Sequence, residues 1–173
     1  MLRTLFSEDA EPPKGAWPKI NDMLQPLFSE DAEPPKGRGH KINDMLQRDY
    51  IMRLIQEFLA ALQRMLEKKE IESRRETLEK LYDQYVGPHD FYHLASVEDV
   101  FQSLAGEEAP RRAMKIQMLA ELYYYDAQME TEPLRSMLLQ KAYMMYDWLQ
   151  DHEQTYSVER VRRLEEIRAA MNK

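Results

Sequence analysis

Residues 48–70 read RDYIMRLIQEFLAALQRMLEKKE, and the pattern of this segment indicates an all-helical chain. It holds no proline or glycine, and its apolar residues recur every three or four positions, which is typical of an amphipathic helix. At 100° per residue, five side chains lie within about 40° of Ile51: Ile51, Ile55, Phe58, Leu62 and Met65. This face is widened to about half of the circumference by Met45, Met52, Leu54, Leu59 and Leu66. So wide an arc predicts a long helix, from about Asn43 to Lys68, that packs against more than one neighbour.

The composition agrees with an all-α fold. Hydrophobic residues make up 43% of the 173 residues, so the chain can bury a core. Good helix formers dominate, while five glycines and the lack of alternating β-branched runs argue against a β-sandwich or barrel. The chain has no cysteine, which excludes disulfides, thiolate metal ligands and cysteine nucleophiles.

Proline, glycine and serine positions divide the rest of the chain into five further helices. The second helix is predicted from Glu70 to Val86, and the HDFYHLA segment after Gly87 and Pro88 is predicted to be a connector. The remaining helices are predicted from Ser96 to Gly106, from Pro110 to about Met129, from Pro133 to about Asp151 and from Ser157 to about Met171. Ser96 and Ser157 are predicted to be the N-caps of their helices. Short turns between them predict antiparallel hairpins, so we expect an all-α bundle of about six helices.

Residues 1–41 differ from the predicted helical domain, residues 42–173, and are predicted to form a separate arm. They hold six of the nine prolines, and paired prolines favour extended backbone, so a Pro-rich, loosely ordered arm is expected. Residues 27–47, LFSEDAEPPKGRGHKINDMLQ, repeat residues 5–25 with 18 of 21 positions identical. Such close copying indicates a recent tandem duplication or an engineered insertion.

The repeated heptapeptide KINDMLQ leads to a hypothesis about assembly. Its first copy is followed by Pro26, which stops a helix, whereas the second copy continues into the long helix. The first copy could therefore occupy the groove that the second copy is expected to fill, with Ile20, Met23 and Leu24 replacing Ile42, Met45 and Leu46. Docking of this kind on another molecule would give an exchanged dimer.

The fourth and fifth predicted helices resemble a tetratricopeptide repeat. The residues that carry the likeness are Ile116, Leu119, Ala120 and Tyr123 in the first helix of the motif, and Ala142 and Tyr146 in its second. The join between the helices is about ten residues too long for the 34-residue period. The resemblance implies a divergent tetratricopeptide-like part over residues 110–171.

Residues 48–66 resemble the opening of an uncharacterised family of small bacterial helical proteins, in which DYIMRLI lies near the N-terminus. This resemblance implies a cytoplasmic bacterial protein without an assigned activity. It also implies that residues 1–41 are an addition to the helical domain.

The HDFYH segment contains the candidate metal ligands His89, Asp90 and His93. Histidines four apart share a helix face and can hold a metal ion beside a carboxylate. The glutamate of the zinc-protease pattern is missing. The alternative is that Phe91 and Tyr92 anchor a loop, with the histidines as ordinary polar neighbours.

Aromatic residues concentrate in the fourth and fifth helices and favour a partner-binding surface there. Three successive tyrosines at 123–125 span about 200° of a helix, so they cannot all point inward. Tyrosine and tryptophan are enriched in binding surfaces, although helix packing is the alternative for each residue. The residues predicted to contact a partner are Tyr123, Tyr124, Tyr125, Tyr143, Tyr146 and Trp148, together with Met52 and Leu59 of the first helix.

These patterns favour a non-catalytic protein- or peptide-binding module, which can also bind a second copy of itself. The alternatives are a metal-binding protein or metal-dependent enzyme that uses HDFYH, and a structural protein whose wide apolar arc is a homodimer seam. The net charge of −7 argues against nucleic acid, and the arginines at 111–112 and 160–163 are predicted to lie on solvated faces. No membrane span or signal peptide is evident, so we expect a cytoplasmic protein that binds no membrane and needs no cofactor.

Overall fold

The computed structural model describes residues 38–153 and 157–172, with side chains from Ile42 onward. These ranges form seven helices and no strand, which confirms the all-α prediction. The helices are α1 (Arg38–Leu66), α2 (Ile71–Tyr85), α3 (His89–Leu94), α4 (Val97–Leu104), α5 (Ala109–Met129), α6 (Leu134–His152) and α7 (Val158–Met171). Residues 1–37, which make up most of the predicted arm, lie outside the described residues. No helix in the described ranges is both long and apolar enough to cross a bilayer.

The first helix is longer than its sequence pattern predicts. It begins at Arg38 rather than near Asn43, so residues 38–41 are helical. A single glycine such as Gly39 costs a helix only about 1 kcal/mol relative to alanine, and no proline follows Pro35 in this segment. The five residues of the predicted central face are all buried: Ile51, Ile55, Phe58, Leu62 and Met65.

Packing against both α2 and α5 explains why the apolar face of α1 is so wide. The ring of Phe58 meets Tyr85 edge-on at 5.4 Å, whereas near the other end Arg74 donates to the Leu66 carbonyl at 3.1 Å. The chain therefore reverses direction between α1 and α2. Since α1 contacts both α2 and α5, the predicted requirement for more than one neighbour is met within the chain.

The centre of the bundle is α5, in which 11 of 21 residues are buried. It packs antiparallel to α6, because Glu121 meets Tyr146 while Tyr123, further along α5, lies under Lys141, which comes earlier in α6. The last helix, α7, packs on α6. This layer of three helices forms the two C-terminal hairpins, while a tetratricopeptide-like relationship for them stays a prediction.

The predicted N-caps of α4 and α7 are confirmed. The Ser96 hydroxyl accepts from the Asp99 amide at 3.1 Å, and the Ser157 hydroxyl accepts from the Arg160 amide at 3.3 Å. Each hydroxyl satisfies one of the amide groups that the first turn of a helix leaves without an intrahelical partner.

The prediction that HDFYHLA is a connector is wrong, because residues 89–94 form the short helix α3. Its start is fixed by the Asp83 carboxylate, which accepts from the His89 amide at 2.9 Å. Gly87 makes the reversal before it with φ +149°, a conformation that favours glycine. A Cβ at this position would lie 3.0 Å from the ring of Tyr92, so the close approach also favours glycine.

The helical pattern of the sequence predicts that Ile71 and Met137 lie on the inward faces of their helices, but both face solvent. Ile71, in the first turn of α2, is 56% exposed, and Met137 of α6 is 37% exposed. Both belong to the first turns of their helices, where the correct period does not ensure that a neighbouring helix covers the face.

Candidate functional site

The two histidines of the HDFYH segment lie together with an aspartate from a different helix. His89 and His93 are four residues apart on α3, and their ring centroids are 4.9 Å apart. The third member is Asp126, near the end of α5, whose Oδ2 lies 2.9 Å from Nδ1 of His93. One possible ligand atom from each residue can be chosen so that all three lie within 4.8 Å of one another.

Asp90, the carboxylate predicted from the sequence, occupies a different environment. Its side chain is 98% exposed, and its Oδ1 lies 3.4 Å from Nδ1 of His89. The buried carboxylate of the cluster comes instead from Asp126, which is 3% exposed. Sequence reasoning missed Asp126 because it lies 33 positions after His93, and no local spacing connects the two.

A tyrosine and the histidine pair surround the Asp126 carboxylate. The Tyr82 hydroxyl donates to Oδ2 of Asp126 at 3.4 Å, and the Tyr82 ring packs edge-on against His89 at 5.1 Å. Burial, with a further contribution from Asp126, raises the pKa of Tyr82. The hydrogen bond to Asp126 raises the pKa of His93, although burial acts in the opposite direction. The Asp126 carboxylate is therefore buried and accepts hydrogen bonds from Tyr82 and His93. The partly exposed ring of His89 lies beside the ring of His93.

A buried lysine closes the other side of α3. Lys141 of α6 is 3% exposed, and its ammonium donates to the carbonyls of Tyr92 at 3.2 Å and His93 at 2.8 Å. The Tyr123 hydroxyl also donates to the Tyr92 carbonyl, at 2.7 Å. Burial lowers the pKa of Lys141, while the nearby Asp126 opposes this shift. These bonds satisfy the last carbonyls of α3, which would otherwise lack partners.

The predicted aromatic partner surface is largely packed inside the chain. Four of its eight residues are buried: Tyr123, Tyr125, Tyr146 and Leu59. The other four, Tyr124, Tyr143, Trp148 and Met52, are partly buried against the core. These side chains therefore serve helix packing in this structure, the alternative that the sequence left open for each of them.

The partly buried aromatic rings have contacts within the chain. Arg163 stacks on the Tyr124 ring at 4.1 Å, and Arg168 donates to the Tyr143 hydroxyl at 2.9 Å. The Trp148 ring stacks on His152 at 4.1 Å with an interplanar angle of 10°. Residues of α7 and of the end of α6 therefore cover the rings of Tyr124, Tyr143 and Trp148. The sequence pattern did not show whether these rings face inward or outward.

A buried polar network joins α5, α6 and α7. The Glu121 carboxylate, on a residue that is 5% exposed, accepts from the Tyr146 hydroxyl at 2.5 Å and faces Arg163 at 3.5 Å. Arg160 donates to the Leu149 carbonyl at 2.8 Å and pairs with Glu153. The prediction that the 160–163 arginines lie on a solvated face is therefore wrong for Arg160, which is 8% exposed, and for Arg163, whose side chain is 15% exposed.

A run of exposed apolar residues lies on the N-terminal part of α1. Ile42, Met45, Leu46 and Tyr50, here called the α1 stripe, are 63%, 66%, 62% and 51% exposed. Ile42, Met45 and Leu46 therefore fill no groove among the described residues. The first KINDMLQ copy, residues 19–25, lies outside the described residues, so its competition for a groove stays a prediction.

A small cavity adjoins the α1 stripe. Its volume is about 220 Å³, and it lies between α1, α2 and α5. The lining residues are Tyr50, Leu54, Gln84, Tyr85, Arg111, Met114, Lys115 and Met118. Tyr50 belongs to both the stripe and the cavity. Ligand sites usually enclose about 300–1,000 Å³, so this cavity suits one anchoring side chain better than a whole small molecule.

Comparison of the chain with family models, with curated proteins and with solved structures finds no match. Two features stand out chemically, namely the α1 stripe with its cavity and the cluster of His89, His93 and Asp126.

Proposed function

We propose that this chain is a non-catalytic protein-binding module that associates with a second copy of itself through the α1 stripe. The observation that carries the proposal is the exposure of four apolar side chains over two successive turns of one helix. Isolated exposed apolar residues are common on protein surfaces, but a contiguous apolar stripe marks an interaction site.

The spacing of the α1 stripe suits a helical partner. Its residues follow at intervals of three, one and four positions, so they share one side of α1. An amphipathic helix can lie along such a stripe and bury its own apolar residues against it. A second α1 has this chemistry, and a two-fold pairing would cover both stripes at once.

The adjoining cavity supplies a second element of recognition. Tyr50 links it to the stripe, and its apolar wall includes Leu54 and Met118. A side chain from the partner helix can enter it, as anchor residues do at the centre of many interfaces. Arg111, an exposed residue that lines the cavity, favours a partner with a carboxylate that can pair with this guanidinium.

The size of the stripe limits the expected affinity. The nine residues from 42 to 50 extend about 13 Å along the helix axis, and a helix is about 10 Å wide. Such a face covers about 100–200 Å², well below the roughly 800 Å² per partner of a stable interface. We therefore expect reversible association with a dissociation constant above about 1 μM.

Sedimentation equilibrium of the full chain over a wide concentration range tests this proposal. The average mass should rise from 20.7 kDa towards twice that value as the concentration increases. Leu46→Glu should remain monomeric, because it places a charge at the centre of the stripe. Leu94→Glu is the matched control, since Leu94 is also an exposed leucine, at 74%, but lies on α3.

Two results would contradict the proposal. One is a mass that stays at 20.7 kDa at all concentrations. The other is equal loss of association in Leu46→Glu and Leu94→Glu, because this would place the contact elsewhere or indicate a general effect of added charge.

A further inference from the structure

We propose that His89, His93 and Asp126 bind one divalent transition-metal ion such as zinc. This site differs from the one predicted from sequence, because the carboxylate comes from α5 instead of from the neighbouring Asp90. The proposal is independent of self-association through the α1 stripe.

The donor set matches the chemistry of these ions. Two imidazole nitrogens and one carboxylate oxygen form a common three-ligand set for zinc, and the same set also binds iron(II). Histidines at positions i and i+4 of a helix lie on one side and can hold the same ion. A third ligand from a separate helix lets the ion tie α3 to α5.

The distances require only side-chain adjustment. Ligand atoms around a tetrahedral zinc ion, with bonds of about 2.0–2.1 Å, are about 3.3 Å apart. The three candidate ligand atoms already lie within 4.8 Å of one another. Small rotations of the two imidazole rings can close the difference, since both histidine side chains are partly exposed, at 18% and 14%.

The surroundings hold the carboxylate in place and favour a cation. Asp126 lies in the last turn of α5, where the helix dipole adds partial negative charge. The Tyr82 hydroxyl donates to its Oδ2 and acts as an outer partner that orients the carboxylate. The ammonium of Lys141 is the nearby opposing charge, and it is bound to the carbonyls of Tyr92 and His93.

Exposure of the histidines gives the ion a route from solvent. The carboxylate is buried, whereas both imidazole rings reach the surface, so an ion can enter from the histidine side. Three protein ligands leave one position of a tetrahedral ion for water.

The test uses the full chain without an affinity tag, stripped of metal with a chelator and titrated with Co²⁺ and Zn²⁺. Co²⁺ binding is followed by visible absorption, and Zn²⁺ affinity is measured by competition with a chromogenic chelator. We expect saturation at one ion per chain. His93→Ala and Asp126→Asn should each weaken Zn²⁺ binding by about tenfold or more.

Asp90→Asn is the decisive control, because it removes the carboxylate that is adjacent in sequence but 98% exposed. We expect its Zn²⁺ affinity to stay within about twofold of the unsubstituted chain, and the same for His152→Ala. Circular dichroism checks that each variant is folded. If Asp126→Asn does not fold, His89→Ala replaces it, because the His89 side chain is the more exposed of the two histidines.

Three results would overturn the proposal. They are the absence of saturable Co²⁺ or Zn²⁺ binding, binding that is unaffected by His93→Ala, and a loss in Asp90→Asn equal to that in Asp126→Asn. The first would leave His93 and Asp126 as a structural hydrogen-bonded pair.

Discussion

Replacing Arg163 by methionine tests the buried polar network that holds α7 on α5 and α6. The substitution removes the guanidinium that faces Glu121 at 3.5 Å and stacks on Tyr124 at 4.1 Å. Burial acts to lower the pKa of Arg163, but Glu121 and the neighbouring tyrosines hold it above its ordinary value, so the residue is charged throughout the accessible pH range. The Glu121 carboxylate would keep the Tyr146 hydroxyl as a partner but lose its counter-charge.

The expected loss follows from burial. Removing one partner of a buried ion pair typically lowers the free energy of unfolding by 3–5 kcal/mol, because the other charge stays buried. The side chains of Arg163 and Glu121 are 15% and 7% exposed, and Tyr146 still donates to the carboxylate, so the lower end applies. We expect a loss of about 3 kcal/mol, or about 6–12 °C in melting temperature for a chain of this length.

Urea unfolding followed by circular dichroism measures this loss. Arg162→Met is the matched control, because Arg162 is the preceding residue of α7, is 48% exposed and pairs only at the surface with Glu166. Its effect should stay within about 0.5 kcal/mol. In a double-mutant cycle, adding Glu121→Gln to Arg163→Met should restore part of the stability, since the buried charge is then gone. Equal stability of Arg163→Met and Arg162→Met would mean that the contacts of Arg163 stabilise the fold no more than a surface ion pair does.

Two further predictions concern helix ends. Ser96→Ala removes the acceptor for the Asp99 amide and should lower the free energy of unfolding by about 1 kcal/mol in urea; no change would mean that water replaces the cap. Burial raises the pKa of Glu153, while Arg160 opposes this, so the folded state binds the proton more tightly than the unfolded state. The contribution of Glu153 to the free energy of unfolding should therefore fall as pH rises from its unfolded pKa through the higher folded pKa. Glu153→Gln should remove this dependence in urea unfolding across that range, and an unchanged pH slope would contradict the assignment.

The long helices were predictable because their physical signal is local. The face of α1 centred on Ile51 and Phe58 follows from the 3.6-residue period, and both residues are buried. The ends of α4 and α7 follow from Ser96 and Ser157, whose side chains bond the adjacent amides. These features depend on residues within one or two turns, which a sequence pattern contains.

The short helix α3 could not be predicted in the same way. Six residues give too little periodicity, and isolated helices of that length are unstable in water. The start of α3 depends on the Asp83 carboxylate and its end on Lys141, which lies 48 positions after His93. The same distance in sequence hides the partnership between His93 and Asp126.

The sequence also could not show which apolar helix faces are covered by a neighbouring helix. The apolar residues of the α1 stripe have the same character as those buried further along α1, but no helix among the described residues covers them. Conversely, Tyr125 and Tyr146 are buried because α7 and its arginine complete the enclosure of α5 and α6. Only the packing of whole helices decides which apolar face meets solvent.

The lysine that closes α3 also constrains the order of events during folding. Lys141 reaches the carbonyls of Tyr92 and His93 from α6, so the end of α3 is satisfied only after α6 has reached this part of the bundle. Contacts between residues far apart in sequence require closure of the intervening loop, which costs conformational entropy, so they tend to form later than local contacts. We therefore expect α3 to form late, after the hairpin of α5 and α6. Weakening its contacts should mainly speed unfolding and leave the folding rate almost unchanged.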